Sequence, residues 1–208
     1  METIMLNLFH DEQKAKKTAE LKQEFLGIFE NIDTIPSGVN VSLQGESTLN
    51  KGLNLFLIQM SKYKIRPIIC TAIPDISKKE DNDIYNRASL FINDYVNTFN
   101  ECYNGIDAVL KLDLSSTSEK ERKKLHGSVK SLESTAKMLL NGKFPTLKND
   151  GKIVLSFRAD STVDFDKISK LFPNDMFLIE IRQPDEVLLN FNDLDSEALA
   201  AGYEIFHD

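Results

Sequence analysis

Side chains alternate across a β-strand. The segments of this chain that read as strands use that alternation to separate apolar from ionic residues. In residues 108–114, Leu110, Leu112 and Leu114 oppose Lys111 and Asp113. In 152–159, Ile153, Leu155 and Phe157 oppose Ser156 and Arg158. In 176–182, Phe177, Ile179 and Ile181 oppose Glu180 and Arg182, and in 39–44, Val41 and Leu43 oppose Asn40, Ser42 and Gln44. A sheet covered by helices on both faces reads as near-continuous apolar runs. Here one face suits helices and the other must meet water or a ligand.

Helix patterns follow these segments. Residues 11–31 carry Leu21, Phe25, Ile28, Phe29 and Ile32 at helical spacing, with Lys14, Lys16, Lys17 and Lys22 around them. A helix running to residue 63 follows the first strand, and residues 65–71 form the next strand. A long helix over 81–102 has Ile84, Ala88, Phe91, Ile92, Tyr95, Val96 and Phe99 as its apolar stripe. Further helices are expected over 119–125, 129–140, 163–171 and 194–201, with a short terminal strand over 203–207. Strand followed by helix, repeated, means parallel strands with right-handed crossovers. With one polar sheet face, the helices belong outside. The expected fold is α/β, an incomplete parallel βα barrel with a polar lumen. It forms a single domain over 1–208, with an N-terminal helix in 1–35 and the partial barrel in 36–208.

Composition narrows the function. With 208 residues and 41% hydrophobic content, the chain has enough apolar material for a core. A net charge of −7 argues against general attraction to nucleic acid or anionic membrane. No apolar run approaches the ~18–20 residues of a spanning helix, and the start lacks a secretory signal pattern. The two cysteines, Cys70 and Cys102, stand far apart, which fits a reducing cytoplasm. They make no CxxC, and the three histidines are scattered, so no metal site is expected.

Ligands of βα barrels sit at the C-terminal ends of the strands. The residues there include Gln44, Gly45, Glu46, Cys70, Thr71, Asp113, Ser115, Arg158 and Arg182. Gly45 permits a sharp turn and a close backbone approach. Glu46 either holds a ligand ammonium group or merely opens a helix's first turn, where the macrodipole favours it. Lys111 reads as a Schiff-base lysine of an aldolase-like barrel or as part of an internal network with Asp113, Arg158, Glu180 and Arg182. The run Lys120, Arg122, Lys123, Lys124 reads as a solvated helix face, and His126 as a helix-end residue.

The stretch Gln44-Gly45-Glu46-Ser47-Thr48-Leu49-Asn50 resembles the Gly-Glu-Pro turn after the second strand of radical S-adenosylmethionine enzymes, with Ser47 in place of the proline. Asp113-Leu114-Ser115 through Arg122 is similar to the fourth-strand segment of that superfamily's RNA-methylating branch. The likeness runs from about Val39 to Phe206. It implies that Gly45, Glu46, Cys70, Thr71, Asp113, Ser115 and Asp185 fall at cofactor-contacting positions, with S-adenosylmethionine or a related adenosyl ligand as cofactor. The Cys-x3-Cys-x2-Cys loop that holds the family's 4Fe–4S cluster is absent, because the chain begins near the helix that follows it. Either the first βα unit is missing or the family's chemistry has been lost, and no cluster is expected. These features point to a partial or catalytically altered relative, in the cytoplasm, binding a small polar ligand. The alternative is a non-catalytic accessory protein with a protein partner. The resembling branch suggests nucleic acid, the net charge opposes it, and no membrane association is expected.

Overall fold

Five consecutive residue pairs, from Thr3↔Asn40 to Asn7↔Gln44, align β1 (Thr3–Asn7) in parallel with the strand that the alternation of Val41 and Leu43 predicts. The computed structural model describes residues 3–11, 14–28, 39–46, 50, 52–63, 65–73, 97–98, 100–102, 109–127, 129–140, 152–183 and 193–207. The fold is α/β with a mostly parallel six-stranded sheet. The chain divides into two compact units, one made of Met1–Thr71, Asn86–Leu110 and Phe144–Lys152, the other of Ala72–Tyr85, Lys111–Lys143 and Ile153–Asp208.

The first unit departs from expectation at its start. A strand precedes the first helix, which overturns the alternative in which the first strand is missing. The expected helix over 11–31 is shorter, α1 (Thr18–Ile28). Before it, β2 (Phe9–Asp11) and β3 (Lys14–Ala15) form an antiparallel ribbon. The reason is backbone pairing: β1 finds a ladder on β4 (Asn40–Gln44), and Leu8 N continues it by donating to Gln44 O at 2.9 Å. β4 pairs in turn with β5 (Arg66–Thr71), from Asn40↔Arg66 to Leu43↔Ile69. Leu21 and Phe25 of α1 are buried, and Phe25 meets Phe56 of α2 (Leu53–Met60) edge-on at 6.2 Å. Buried Asn50 ties this unit's loops together. Its amide donates to Leu8 O at 2.9 Å and Lys16 O at 3.2 Å, and its oxygen accepts from Gly52 N at 2.9 Å.

In the second unit the strand order is β6 (Val109–Ser115), β7 (Lys152–Arg158), β8 (Leu178–Arg182). β7 and β8 are parallel from Val154↔Leu178 to Arg158↔Arg182. The helices are α3 (Glu119–His126), α4 (Leu132–Leu140), α5 (Phe165–Leu171) and α6 (Leu194–Ala200). Asp164 and Asp193 cap α5 and α6, accepting from Lys167 N at 3.0 Å and Ser196 N at 3.3 Å. The expected strand over 203–207 shrinks to a parallel bridge, Ile179↔Ile205. Of the expected helix over 81–102, residues 97–98 and 100–102 are helical. Its stripe of Ile84, Ala88, Phe91, Ile92, Tyr95, Val96 and Phe99 lies outside the described residues.

Candidate functional site

Strands β4, β5 and β6 each run into a residue with left-handed backbone at or just past the C-terminal end: Gly45 at φ +102°, Ile73 at φ +50° and Ser115 at φ +53°. Glycine adopts such angles without strain, whereas a β-branched isoleucine and a serine do not. Strain of this kind collects at ligand sites and tight turns. The residues that sequence places at strand ends occupy these turns.

In the first unit, the Thr71 hydroxyl at the end of β5 donates to the Glu46 carboxylate. Two of the expected positions thus meet. Gln44 Nε2 donates to Ser42 Oγ at 3.3 Å along the polar side of β4, as the alternation predicts. Gly45 is packed so closely that an added Cβ would stand 2.5 Å from Phe9 Cδ2. Cys70 is half-buried beside Thr71.

The second unit holds a denser cluster. Asp113 Oδ1 accepts from Ser115 N at 3.1 Å, Ser115 Oγ at 2.8 Å and Arg182 Nη2 at 2.5 Å. Its Oδ2 lies 3.4 Å from His126 Nε2, and the same nitrogen is 2.7 Å from Ser115 Oγ. Burial alone would raise the Asp113 carboxyl. The His126 hydrogen bond, the Arg182 charge and the Ser115 hydroxyl outweigh it and hold Asp113 below the ordinary aspartate range. Ser115 sits at the centre of a tight turn in which Ser116 N donates to Leu114 O. Its left-handed backbone is held because Asp113 accepts from both its amide and its hydroxyl.

Two residues back along β6 and β8, on the same face, a second row forms. Lys111 Nζ meets Glu180 Oε1 at 2.6 Å, reaching across β7, where Ser156 Oγ donates to Glu180 Oε2. Lys111 and Glu180 are both 7% exposed, and Lys111 Nζ lies 5.3 Å from the Phe206 ring centroid. The pair falls within the expected network of Lys111, Asp113, Arg158, Glu180 and Arg182, with Glu180 as the carboxylate that engages the amine. Arg158 faces Arg182 across the ladder and binds Asp160 through two hydrogen bonds, at 2.9 and 2.6 Å. The neighbouring arginines thus each have their own carboxylate. Asp185 lies outside the described residues.

Sequence reasoning missed two members. His126 reads as a helix end, and it is, yet that end reaches Asp113 and Ser115. Arg122 was expected on a solvated face. Lys120, Lys123 and Lys124 are indeed exposed, but Arg122 is 1% exposed. The available signal was α3 itself: Glu119–His126 has no apolar stripe, so a helix against a sheet must turn polar residues inward. Along α3 runs a cleft of about 230 Å3 lined by Ser116, Glu121, Lys124, Leu125, Arg158, Asp160 and Ser161.

The 4Fe–4S cluster of the resembling family needs thiolates on one loop. Between β1 and α1, where that loop would stand, the chain runs Leu8 to Lys17 without a cysteine and folds into the β2–β3 ribbon. The donor set does not fit a cluster. Among the described residues no group of three or more His, Cys, Asp or Glu side chains could hold a metal ion, and no helix is long and apolar enough to cross a membrane. No protein-family model, curated protein or solved structure matches the chain.

Proposed function

We propose that this chain is a cluster-free, catalytically altered relative of the radical S-adenosylmethionine enzymes, an incomplete parallel βα barrel that binds a small polar ligand of the adenosyl kind. The observation that carries the reading is the pinning of carboxylates at C-terminal strand ends. Glu46 is held by Thr71, and Asp113 by Ser115 and Arg182. Such ends are where βα folds bind ligands. Each unit offers its own candidate end: Glu46 in the first suits an ammonium group, and Asp113 with Ser115 in the second suits ribose hydroxyls. An anionic part of the ligand would turn to Arg158 and Arg182. The aldolase-like alternative is the weaker one, because Lys111 is committed to Glu180. A cytoplasmic location belongs to the same proposal.

Calorimetric titration with S-adenosylmethionine and S-adenosylhomocysteine tests it. Wild type should bind, and Glu46→Gln or Asp113→Asn should weaken binding about tenfold or more, the worth of a hydrogen bond to a charged group. Binding unchanged by both substitutions would put the site elsewhere. No binding by wild type would favour the accessory-protein reading, in which the strand-end charges are structural.

A further inference from the structure

A buried charge is tolerated when it is paired and hydrogen-bonded. Arg122 breaks that rule. Its side chain is among the largest fully buried ones, and among the described residues none of its three guanidinium nitrogens has a hydrogen-bond partner. Arg182 adds a fourth such atom, since its Nε is buried without a partner among the described residues while its Nη2 holds Asp113. Hydrophobicity did not pull Arg122 inward, because α3 has no apolar face and its other cationic residues, Lys120, Lys123 and Lys124, remain in solvent.

The position of Arg122 explains what is missing. It lies four residues before His126, so the two share one helix face, the face that meets the end of β6 through His126, Asp113 and Ser115. The carboxylates acting on Arg122 are Asp113, Glu119 and Glu133. Asp113 is already engaged: its Oδ1 takes Ser115 N, Ser115 Oγ and Arg182, and its Oδ2 lies 3.4 Å from His126 Nε2. Glu119 instead pairs with Lys123 at 2.5 Å and Glu133 with Lys167 at 3.0 Å. Among the described residues, none of these carboxylates is hydrogen-bonded to the Arg122 guanidinium. The local balance is cationic in a chain whose net charge is −7.

We propose that Arg122, with Arg182 and His126, forms a receptor for a small oxyanion, the phosphate or carboxylate group of a ligand. Guanidinium groups bind such oxygens through paired N–H donors, and the unpartnered nitrogens of Arg122 supply them. The half-exposed side of Arg182 and the edge of His126, with side chains 35% and 25% exposed, give the approach from solvent. The receptor adjoins the Asp113 end of the proposed adenosyl site but does not depend on that reading.

Thermal unfolding in sodium phosphate, sodium acetate and sodium chloride at matched ionic strength tests it. Phosphate or acetate should raise Tm by several degrees beyond chloride, and the arm that responds identifies the oxyanion. Arg122→Met should raise Tm in chloride, by removing an unpartnered buried cation, and should erase the anion-specific rise. Neither anion raising the wild-type Tm beyond chloride overturns the receptor. So does an equal rise in Arg122→Met, or a lower Tm for that variant in chloride. Should Arg122→Met not fold, calorimetric titration of the effective anion into Arg182→Lys decides. Several-fold weaker binding than wild type supports the receptor, and an unchanged Kd overturns it. Wild type that binds phosphate but not S-adenosylmethionine keeps the receptor and fells the adenosyl reading. The reverse result fells the receptor alone.

Discussion

Gly45 in the first unit and Ser115 in the second make the same left-handed exit from a parallel strand by different means. At Gly45 the backbone angle costs little, and the missing side chain lets the Phe9 ring close over the turn. At Ser115 the angle costs about 1–2 kcal/mol for a residue with a Cβ. That cost is offset by Asp113, which accepts from both the Ser115 amide and hydroxyl and is fixed in turn by Arg182 and His126. The first turn is set by shape and the second by charge. A turn set by shape resists pH and salt but no added methyl. A turn set by charge tolerates small changes of volume and fails when a counter-charge goes.

The comparison breaks first at the row beneath Ser115. Glu180→Ala removes the carboxylate that Lys111 meets at 2.6 Å, and equilibrium denaturation should report a loss of about 3–5 kcal/mol, the cost of breaking a buried ion pair from one side. A paired Lys111→Met, Glu180→Leu protein should recover most of it, because an apolar pair needs no counter-ion. A loss as large in the double variant would mean that the row is held by packing.

Gly45→Ala comes next. Its Cβ meets the Phe9 ring at 2.5 Å on a backbone at φ +102°, and the variant should lose about 2–3 kcal/mol at every pH. An alanine tolerated there would show that the ribbon carrying Phe9 can move aside.

Asp113→Asn tests the charge side, with an expected loss of about 2 kcal/mol at neutral pH. The folded-state value of Asp113 is lowered from 3.8. Its contribution is therefore present above that ordinary value and disappears as pH falls through the lower folded one. Wild type should lose stability over that acid window, whereas the asparagine variant should show a flatter acid limb. Tyr203 supplies the opposite sign. Burial pushes its phenol up to about 12, and its hydroxyl donates to Phe172 O. Its contribution holds below pH 10 and is lost as pH rises toward about 12, and Tyr203→Phe should remove that alkaline slope.

The smallest effect belongs to Ser115→Gly. Relief of the left-handed backbone and loss of the hydroxyl's bond are each about 1 kcal/mol and opposite in sign. The stability change should stay within about 1 kcal/mol. A large loss would mean that the hydroxyl, and not the backbone, holds the turn.

Alternation along single strands made much of this legible before any coordinate. Val41 and Leu43 are buried while Ser42 and Gln44 are half-exposed, and Lys111, Ser156 and Glu180 meet on one face. The adjacency of Glu46 and Thr71 was within reach because both close parallel strands. β1 was not legible. Only Leu6 of its five residues is buried, so the stretch has no alternation to read, and its partner begins at Asn40.

The sequence determined by itself the strands β4 to β8, the polar face along them, and which polar residues stand at their ends. Those are consequences of a two-residue period and of where glycine and serine interrupt it. Tertiary structure decided the pairings: Lys111 with Glu180 across β7, Arg182 with Asp113, and His126 with Ser115. It also decided that Arg122, written into a run of solvated cations, lies inside with no acceptor among the described residues. A charge in a sequence carries no record of its partner. Burial and hydrogen bonding are set by residues far along the chain, so only the folded protein reveals which charges are paired and which still lack a partner.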